Sequence, residues 1–494
     1  MPAPVPAPVA LAPVRVVDAD EFRMYRRMSG IISNLQSLFG RQPIAGSSQP
    51  SVRLHHYIRE EHGYKARLHL RLDPDGHGTL MINANRVVHF NPTAALMAHL
   101  ALEETPQTEA IRAITRAYRV PKAQAKSDYI TFLADFEQII RPDSCPVCAM
   151  DDLEISAPFS ARPTAPYRMD LALTYRCNDD CAHCYNARPR DYPEIFTAEW
   201  KRIIDKTWEL GIPHIVFTGG EPTLREDLPE LIAYAESNGQ ITGVNTNARR
   251  LSNPKFVEAL VHAGLDHIQI TVESHDPDIH DQMVGKRGAW RQTIQGLRNV
   301  LDTPLYVMTN TTMLQVNSPA LGQTLDFLAA EGVPTVGLNA LIYSGHGLSV
   351  GTGIREGELP PLLDLAREKT AEHGQRLIWY TPTQYCNFDP QQLELGVKGC
   401  TAALYNMCVE PDGGVLPCQS YYQQLGNLLK DPWEAIWNHE LSVRLRERTY
   451  VPPVCKECAL LAECGGGCPL AMEAQGQNLI SIEKIAVLPL ATDY

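Results

Sequence analysis

Residues 171–186 read LALTYRCNDDCAHCYN, and the reading of this stretch orders the rest of the chain. An apolar run that reads as a strand ends in a loop carrying Cys177, Cys181 and Cys184 at C-x3-C-x2-C spacing. Three thiolates on one short loop can hold three irons of a cubane 4Fe–4S cluster and leave the fourth iron open to a second molecule. Zinc is the competing occupant. It asks for a fourth Cys or His at ligand spacing, and His183 stands between two of the cysteines with little room to chelate beside them.

From Arg168 to about Leu341 strand-like and helix-like segments alternate. The pattern predicts strands at 169–175, 214–218, 241–246, 267–272, 304–312 and 335–341. It predicts helices at about 198–210, 227–237, 254–263, 289–301 and 319–330, the first with an apolar face of Trp200, Ile203, Ile204 and Trp208. Repeated β-α units imply a parallel sheet with right-handed crossovers, curved into a partial barrel. Chemistry then gathers at the C-terminal ends of the strands, where the cysteine loop lies.

The other strand ends are polar. Strand two runs into Thr218-Gly219-Gly220-Glu221-Pro222, where glycines permit close backbone approach to a ligand and a carboxylate can accept from an ammonium group. Strand three closes in Asn245-Thr246-Asn247 and strand four in Thr271-Val272-Glu273-Ser274. Asn310 and Asn339 sit on strands five and six at matching heights. Each alone reads as a strand cap or loop bond, but together they form one rim.

The cysteine spacing after a strand, with GGEP on the next, resembles the radical S-adenosylmethionine (SAM) enzymes. The resemblance implies that Gly219, Gly220, Glu221 and Pro222 hold the methionine amino group of SAM while it chelates the open iron. It also implies that Thr246, Asn247, Glu273, Ser274 and Asn310 reach the ribose and carboxylate, and that His183 takes the place of an adenine-stacking ring. The implied reaction is one-electron cleavage of SAM to methionine and a 5′-deoxyadenosyl radical, which abstracts hydrogen from an unactivated carbon. A reductant such as ferredoxin or flavodoxin would supply the electron.

Cysteines return near the C-terminal end. Cys400, Gly413 and Cys418 form C-x12-G-x4-C around a PDGG turn at 411–414. Cys455, Cys458, Cys464 and Cys468 form C-x2-C-x5-C-x3-C with GGG at 465–467. Tetrahedral zinc suits such S4 sets as well as iron does. Together they resemble the SPASM extension, which carries two auxiliary 4Fe–4S clusters. By that resemblance Cys400, Cys418 and Cys468 take one cluster, with Cys408 close enough to complete it. The other takes Cys455, Cys458 and Cys464 and lacks its standard downstream cysteine. Cys386, Cys145, Cys148 or Glu473 is left to fill the gap, or the iron is open; an open or non-standard site is the expectation, since no nearby thiolate is apparent. Sulfatase maturases place an Asp after the cysteine of G-x4-C; Gln419 stands there and cannot act as a base, which argues against formylglycine synthesis.

Upstream, KARLHLRL (65–72) and TLMINANRVVHF (79–90) read as strands before helices at roughly 92–104, 108–118 and 121–140. The last carries Tyr129, Phe132, Leu133, Phe136 and Ile139 at helical spacing. "INANRVVHFNPTAALM" and "SDYITFLADFEQII" make this winged-helix-like unit resemble the leader-peptide-recognition domain whose stand-alone form is a chaperone of pyrroloquinoline quinone synthesis. Cys145 and Cys148, in DSCPVCAM, are half a metal site and read as structural or incidental.

The fold class expected is therefore α/β: a partial (β/α)6 TIM-like barrel, an N-terminal winged-helix-like domain and a C-terminal iron–sulfur extension. The boundaries are 1–50 flexible segment, 51–142 leader-peptide-binding domain, 143–164 linker, 165–345 barrel, 346–396 helical bridge and 397–494 auxiliary domain. Within the first segment, 20–39 reads as a short helix, 41–50 as a linker, and MPAPVPAPVALAPV lacks the basic start of a signal peptide. A net charge of -13 argues against nucleic acid as the main partner, because phosphate contacts need basic patches. No apolar run reaches a membrane span. Thirteen cysteines in metal-type clusters fit a reducing cytoplasm better than a disulfide scaffold. The function implied is hydrogen abstraction from a ribosomally made precursor peptide to install a crosslink or thioether. The alternatives are modification of a small molecule or tetrapyrrole-type precursor, and a non-catalytic electron-transfer scaffold, which would need no open iron.

Overall fold

A computed structural model describes residues 52–61, 64–84, 86–141, 159–186 and 188–475. The helix expected at 20–39, the linker at 41–50, Cys145, Cys148 and the tail beyond 475 lie outside them.

The N-terminal unit is an antiparallel sheet in the order β1 (Arg53–Glu61), β2 (Tyr64–Leu72), β3 (Gly78–Ile82), β4 (Arg86–Phe90). Three helices follow, α1 (Pro92–Leu102), α2 (Gln107–Tyr118) and α3 (Lys122–Ile140). Two features depart from the sequence reading. The run 79–90 is a hairpin and not one strand: Asn83 and Ala84 take φ of 50° and 55°, left-handed values that turn the chain without the usual glycine. RLHHYIREE, too polar to show an apolar face, forms β1 by pairing along the whole of β2.

Alternation along β2 explains how this unit docks. Leu68 and Leu70 point to a core with Leu80, Ile82, Phe90, Ala98 and Phe136. The residues between them, Arg67, His69 and Arg71, face the opposite way and are buried too, against the barrel. Arg67 donates to Glu236 Oε2 at 2.6 Å, Asp266 Oδ1 at 2.8 Å and the Gly239 and Gln240 carbonyls at 3.1 Å each. His69 Nε2 lies 2.8 Å from the Gly239 carbonyl, and Arg71 reaches Ala165 O at 3.1 Å. Burying a charged row is tolerable because both terminal nitrogens of Arg67, His69 Nε2 and the Arg71 guanidinium meet acceptors.

The barrel strands are β5 (Arg168–Thr174), β6 (His214–Gly219), β7 (Ile241–Thr246), β8 (His267–Thr271), β9 (Tyr306–Thr312) and β10 (Thr335–Asn339). They are joined by α4 (Thr197–Glu209), α5 (Leu228–Asn238), α6 (Pro254–His262), α7 (Pro277–Met283), α8 (Ala289–Leu301) and α9 (Leu321–Ala330). All six strands are parallel neighbours. In α4 Trp200, Ile203 and Ile204 are buried as expected, but Trp208 turns toward the N-terminal unit, edge-on to His69 at 6.5 Å. The bridge is less helical than expected: α10 (Pro360–Glu372) leads to β11 (Arg376–Trp379), which adds a seventh parallel strand beside β10. On the other side β12 (Asn406–Val409) pairs parallel to β5, and β13 (Gly414–Leu416) and β14 (Gly426–Asn427) follow antiparallel. The turn between β12 and β13 uses Gly413 at φ 85°. The C-terminal extension is thus a continuation of the barrel sheet. No helix among the described residues is long and apolar enough to cross a membrane.

Arg67→Ala should lower unfolding stability by about 3 kcal/mol, the scale for removing one partner of a buried charged network. Arg67→Lys should recover only part of it, because an ammonium cannot span two carboxylates and two carbonyls. Urea denaturation reads both, and an unchanged midpoint would show that the docking rests on other contacts.

Candidate functional site

The cysteine loop is held from three sides. On the first, β6 runs unusually close to the end of β5. A Cβ on Gly219 would collide with the Thr174 carbonyl, and one on Gly220 with the Arg176 carbonyl and, at 2.7 Å, with Tyr175 O. That gap lets Gly220 N donate to Thr174 O at 2.7 Å and Glu221 N to Arg176 O at 2.9 Å. The glycines thus serve the approach of chain to chain, where the sequence suggested approach to a ligand.

On the second side stands β7. Asn247 Nδ2 donates to Asn178 Oδ1 at 2.7 Å, and Arg249 binds the Asn178 carbonyl and, at 2.7 Å, Asp179 Oδ1. On the third, Asp180 N and Ala182 N donate to Val284 O and Met283 O at 2.9 and 3.1 Å. Over the loop lies the turn Gly345–Leu348. His346 N donates to Cys184 O at 2.8 Å, and His346 Nδ1 is 3.2 Å from Cys181 O.

Glu221 is buried and saturated. Its Oε1 accepts from Thr223 N, Thr223 Oγ1 and Thr246 Oγ1 at 3.1, 2.7 and 2.7 Å, and Oε2 accepts from Asn247 N at 2.8 Å. A carboxylate has about four acceptor positions, so this one is filled from within the chain. Burial raises its pKa despite those donors. Glu221 thereby ties β6 to β7, and Pro222 opens the short turn Pro222–Leu224 that follows.

Glu273 is likewise paired internally. Its Oε1 lies 3.0 Å from His183 Nε2, and Oε2 accepts from Thr312 N at 2.9 Å. Burial acts to lower the His183 pKa, but the Glu273 charge and hydrogen bond outweigh it and the net shift is upward. His183 therefore bridges the loop to β8. Ser274 caps the next turn by accepting from Asp276 N at 3.1 Å. Asn310 accepts from Asn339 Nδ2 at 2.9 Å, although Asn310 is in register with Gly337 and Asn339 with Thr312, so the two heights differ by two residues.

The thiols of Cys177, Cys181 and Cys184 are raised by burial, Cys177 to about 11, and each answers to neighbouring charge. Cys177 also accepts from Asp179 N at 3.4 Å. Cys400, Cys418 and Cys468 form a second group: burial raises each, with Cys468 and Cys418 the next causes at Cys400. Cys408 stands on β12 opposite Asp170 of β5, among Ala172, Tyr175 and Leu416, with Cys418 in its electrostatic surroundings. Cys455, Cys458 and Cys464 form the third: Cys455 is raised by burial and then by Cys464 and Cys458, and Cys464 is raised by burial against hydrogen bonds from the Tyr385 and Gly466 backbone, with Cys458 adding to the rise.

Sulfur spacing bears on what these groups can hold. Four sulfurs about 2.3 Å from one zinc lie about 3.8 Å apart. Among the described residues no cysteine trio has its ligand atoms within 4.8 Å of one another; the trio that does is His55, His99 and Glu103 of the N-terminal unit. The described cysteine groups therefore do not have the spacing of a mononuclear zinc site.

Sequence reading missed the residues that brace the loop. Arg249, Asn178 and Asp179 carry no motif beyond a polar run. Arg188 and Glu410, paired at 2.7 Å with Tyr175 OH on the same carboxylate at 3.1 Å, lie 222 residues apart in the chain. Only their fold brings them together.

The comparisons agree with this layout. The Radical SAM superfamily model matches residues 171–328, a SPASM iron–sulfur cluster-binding domain matches 400–459, and coenzyme PQQ synthesis protein D (PqqD) matches 69–139. The curated Fe-coproporphyrin III synthase of Methanosarcina barkeri is 28% identical over 338 residues, covering 62% of this chain and 84% of that protein. Streptococcus suis SuiB bound to precursor peptide SuiA superposes with a TM-score of 0.60 at 16% identity, over 80% of this chain and 93% of SuiB. Native anSMEcpe with bound AdoMet gives 0.52 at 14% identity, over 63% and 91%. At such identities the likeness is one of fold.

Gly220→Ala should displace the cysteine loop and cost the reconstituted protein about four irons. Gly322→Ala, where a Cβ meets nothing nearer than Leu365 Cδ2 at 3.7 Å, should keep the full content. Iron assay and circular dichroism together check this; equal iron in both variants would show that the close approach does not hold the loop.

Proposed function

We propose that this chain, a radical SAM enzyme with SPASM and PqqD domains, modifies a ribosomally made peptide whose leader binds the N-terminal unit. Cys177, Cys181 and Cys184 would hold the SAM-binding 4Fe–4S cluster, which when bound supplies the electron that cleaves SAM and frees the hydrogen-abstracting nucleoside radical. The chain's own residues do the rest. Glu221, His183 and Glu273 hold the loop and the rim in place, so that the radical forms at a fixed point. With Glu221 filled from within, the peptide groups around Gly219 and Gly220 are what remains at that strand end to meet the methionine ammonium. The lid at 345–348 limits water over the loop.

One observation carries the peptide reading. A PqqD unit is docked on the barrel through buried charge, and its sheet ends in an edge strand, β4. An extended peptide can add to such an edge as a further strand. Val87 on β4 and Ile130 on α3 are exposed apolar residues that such a leader would cover. Tethering the leader there raises the concentration of its core at the barrel mouth. The likeness to SuiB, solved with its precursor peptide, supports the same arrangement. The bond made would be a crosslink or thioether, the electron would come from a ferredoxin or flavodoxin, and the setting would be the reducing cytoplasm.

A second reading rests on the Fe-coproporphyrin III synthase relative: a tetrapyrrole with carboxylate side chains would take the place of the peptide.

Reconstituted anaerobically and reduced with dithionite, the protein should release 5′-deoxyadenosine from SAM, and Cys181→Ala should not. Release by that variant would mean the cysteine loop does not hold the reactive cluster.

Peptides encoded beside the gene, added to the full chain, should bind in the micromolar range, about -8 kcal/mol. Val87→Asp with Ile130→Asp should weaken that binding at least tenfold, about 1.4 kcal/mol, by calorimetry. If a coproporphyrin and no peptide stimulates 5′-deoxyadenosine release, the second reading replaces the first.

A further inference from the structure

The third cysteine group is followed by Cys468, but that thiol lies with Cys400 and Cys418 in the second group. Its chain nevertheless folds onto another segment. Gly465, Gly466 and Gly467, at φ of 61°, 83° and 78°, curl the backbone in a path that L-residues rarely take. What the curl meets is upstream, at residues 383–386. Tyr385 N donates to Cys464 Sγ at 3.4 Å, and Cys464 Sγ donates to Thr383 O at 3.6 Å. Gln384 Nε2 donates to Gly466 O at 3.3 Å, and a Cβ on Gly467 would stand 2.8 Å from Gln384 Cγ.

Cys386 is the next residue along this segment. Both of its flanks are pinned by one carboxylate: Glu356 Oε2 accepts from Gln384 N at 3.3 Å and Asn387 Nδ2 at 2.8 Å. Desolvation, then the sulfurs of Cys464 and Cys455, push the Cys386 thiol up to about 11. The rival oxygen ligand is occupied elsewhere. Glu473 Oε1 accepts from Tyr421 OH at 2.9 Å, and among the cysteines its charge is felt at Cys468, which belongs to the other group.

We infer that Cys386 is the fourth thiolate of the second auxiliary site, closing it with Cys455, Cys458 and Cys464 as an all-cysteine 4Fe–4S ligand set. The inference rests on the iron–sulfur reading of the auxiliary domain and replaces the expectation of an open iron there. Cys386 lies before the stretch that the SPASM model matches, residues 400–459, and takes the role usually filled from downstream. A site closed by four thiolates presents no iron to a substrate thiol. Its chemistry is electron transfer.

The test uses the full chain carrying Cys177/Cys181/Cys184→Ala, so that only auxiliary iron is counted. This parent should hold about eight irons. Adding Cys386→Ala should lower the count and change the EPR spectrum of one cluster, from a four-iron to a three-iron form or to none, with the other cluster unaltered. Adding Cys145→Ala and Cys148→Ala instead should change neither. Circular dichroism and thermal melting verify that each protein is folded. Eight irons with unchanged spectra in the Cys386→Ala protein would overturn the assignment while leaving the auxiliary clusters standing. Loss of iron on removing Cys145 and Cys148 would overturn it in favour of those thiols. A parent holding only about four irons would overturn the second auxiliary site itself, and the ligand with it.

Discussion

The structure depends on one close approach, that of Gly219 and Gly220 to the carbonyls of Thr174, Tyr175 and Arg176. Backbone meets backbone there with no room for a methyl group. The approach fixes where β5 ends and hence where the cysteine loop begins. It also places Glu221 where one buried carboxylate can gather donors from its own turn and from β7. The constraint is steric first and electrostatic second. Once the glycines admit the contact, the buried charge of Glu221 is compensated by four hydrogen bonds and keeps adjacent strand ends from separating.

The same logic governs the joint between the N-terminal unit and the barrel. A strand with leucines on one face and charged residues on the other would ordinarily leave the charged face in water. Here Arg67, His69 and Arg71 meet carbonyls at the C-terminal end of α5 and before β5. Gly239 ends α5 at φ 92° and turns its carbonyl to two of these donors. Such a joint is specific in orientation, because guanidinium donors are fixed in a fork. A leader bound to this unit would be held at a defined distance from the rim, which a flexible tether would not achieve.

Much of this was legible in the sequence where one period or one spacing dominates. The barrel strands follow from apolar runs, and their ends agree with the structure to within two residues throughout. The cysteine groups follow from spacing. What was illegible has a common cause: it depends on pairing between distant segments. β1 has no apolar face of its own and exists by pairing with β2. The turn at Asn83 and Ala84 uses left-handed residues other than glycine, so 79–90 reads as one strand. The internal partners of Glu221 and Glu273 are hidden in the same way, because nothing local shows that Thr246, Asn247, His183 and Thr312 reach them. Cys386 reads only as one distant candidate among several, because nothing local shows that its segment meets Cys464.

The auxiliary domain is part of this constraint and no appendage. β12 lies parallel to β5 on the side away from β6, so the strand that carries the cysteine loop has a neighbour on each edge. Beyond β12, Glu410 is fully buried and takes two hydrogen bonds from Arg188 and one from Tyr175, both on the cysteine-loop side. Arg188 in turn stacks over Tyr192 and Tyr422 at 5.4 and 5.0 Å. Tyr185, next to Cys184, donates to Gln419, next to Cys418, at 3.1 Å. Residues adjacent to two different cysteine groups are therefore one hydrogen bond apart. A buried ion pair of this kind costs desolvation whichever way it forms, and it holds only if both partners stay in place. Movement of the hairpin would strand Glu410 and release the loop, so the relative position of the two cysteine groups is set by the same contacts that shape the reactive rim. Fixed spacing is what electron exchange between them would require, and it arises here from a shared sheet edge and one buried carboxylate.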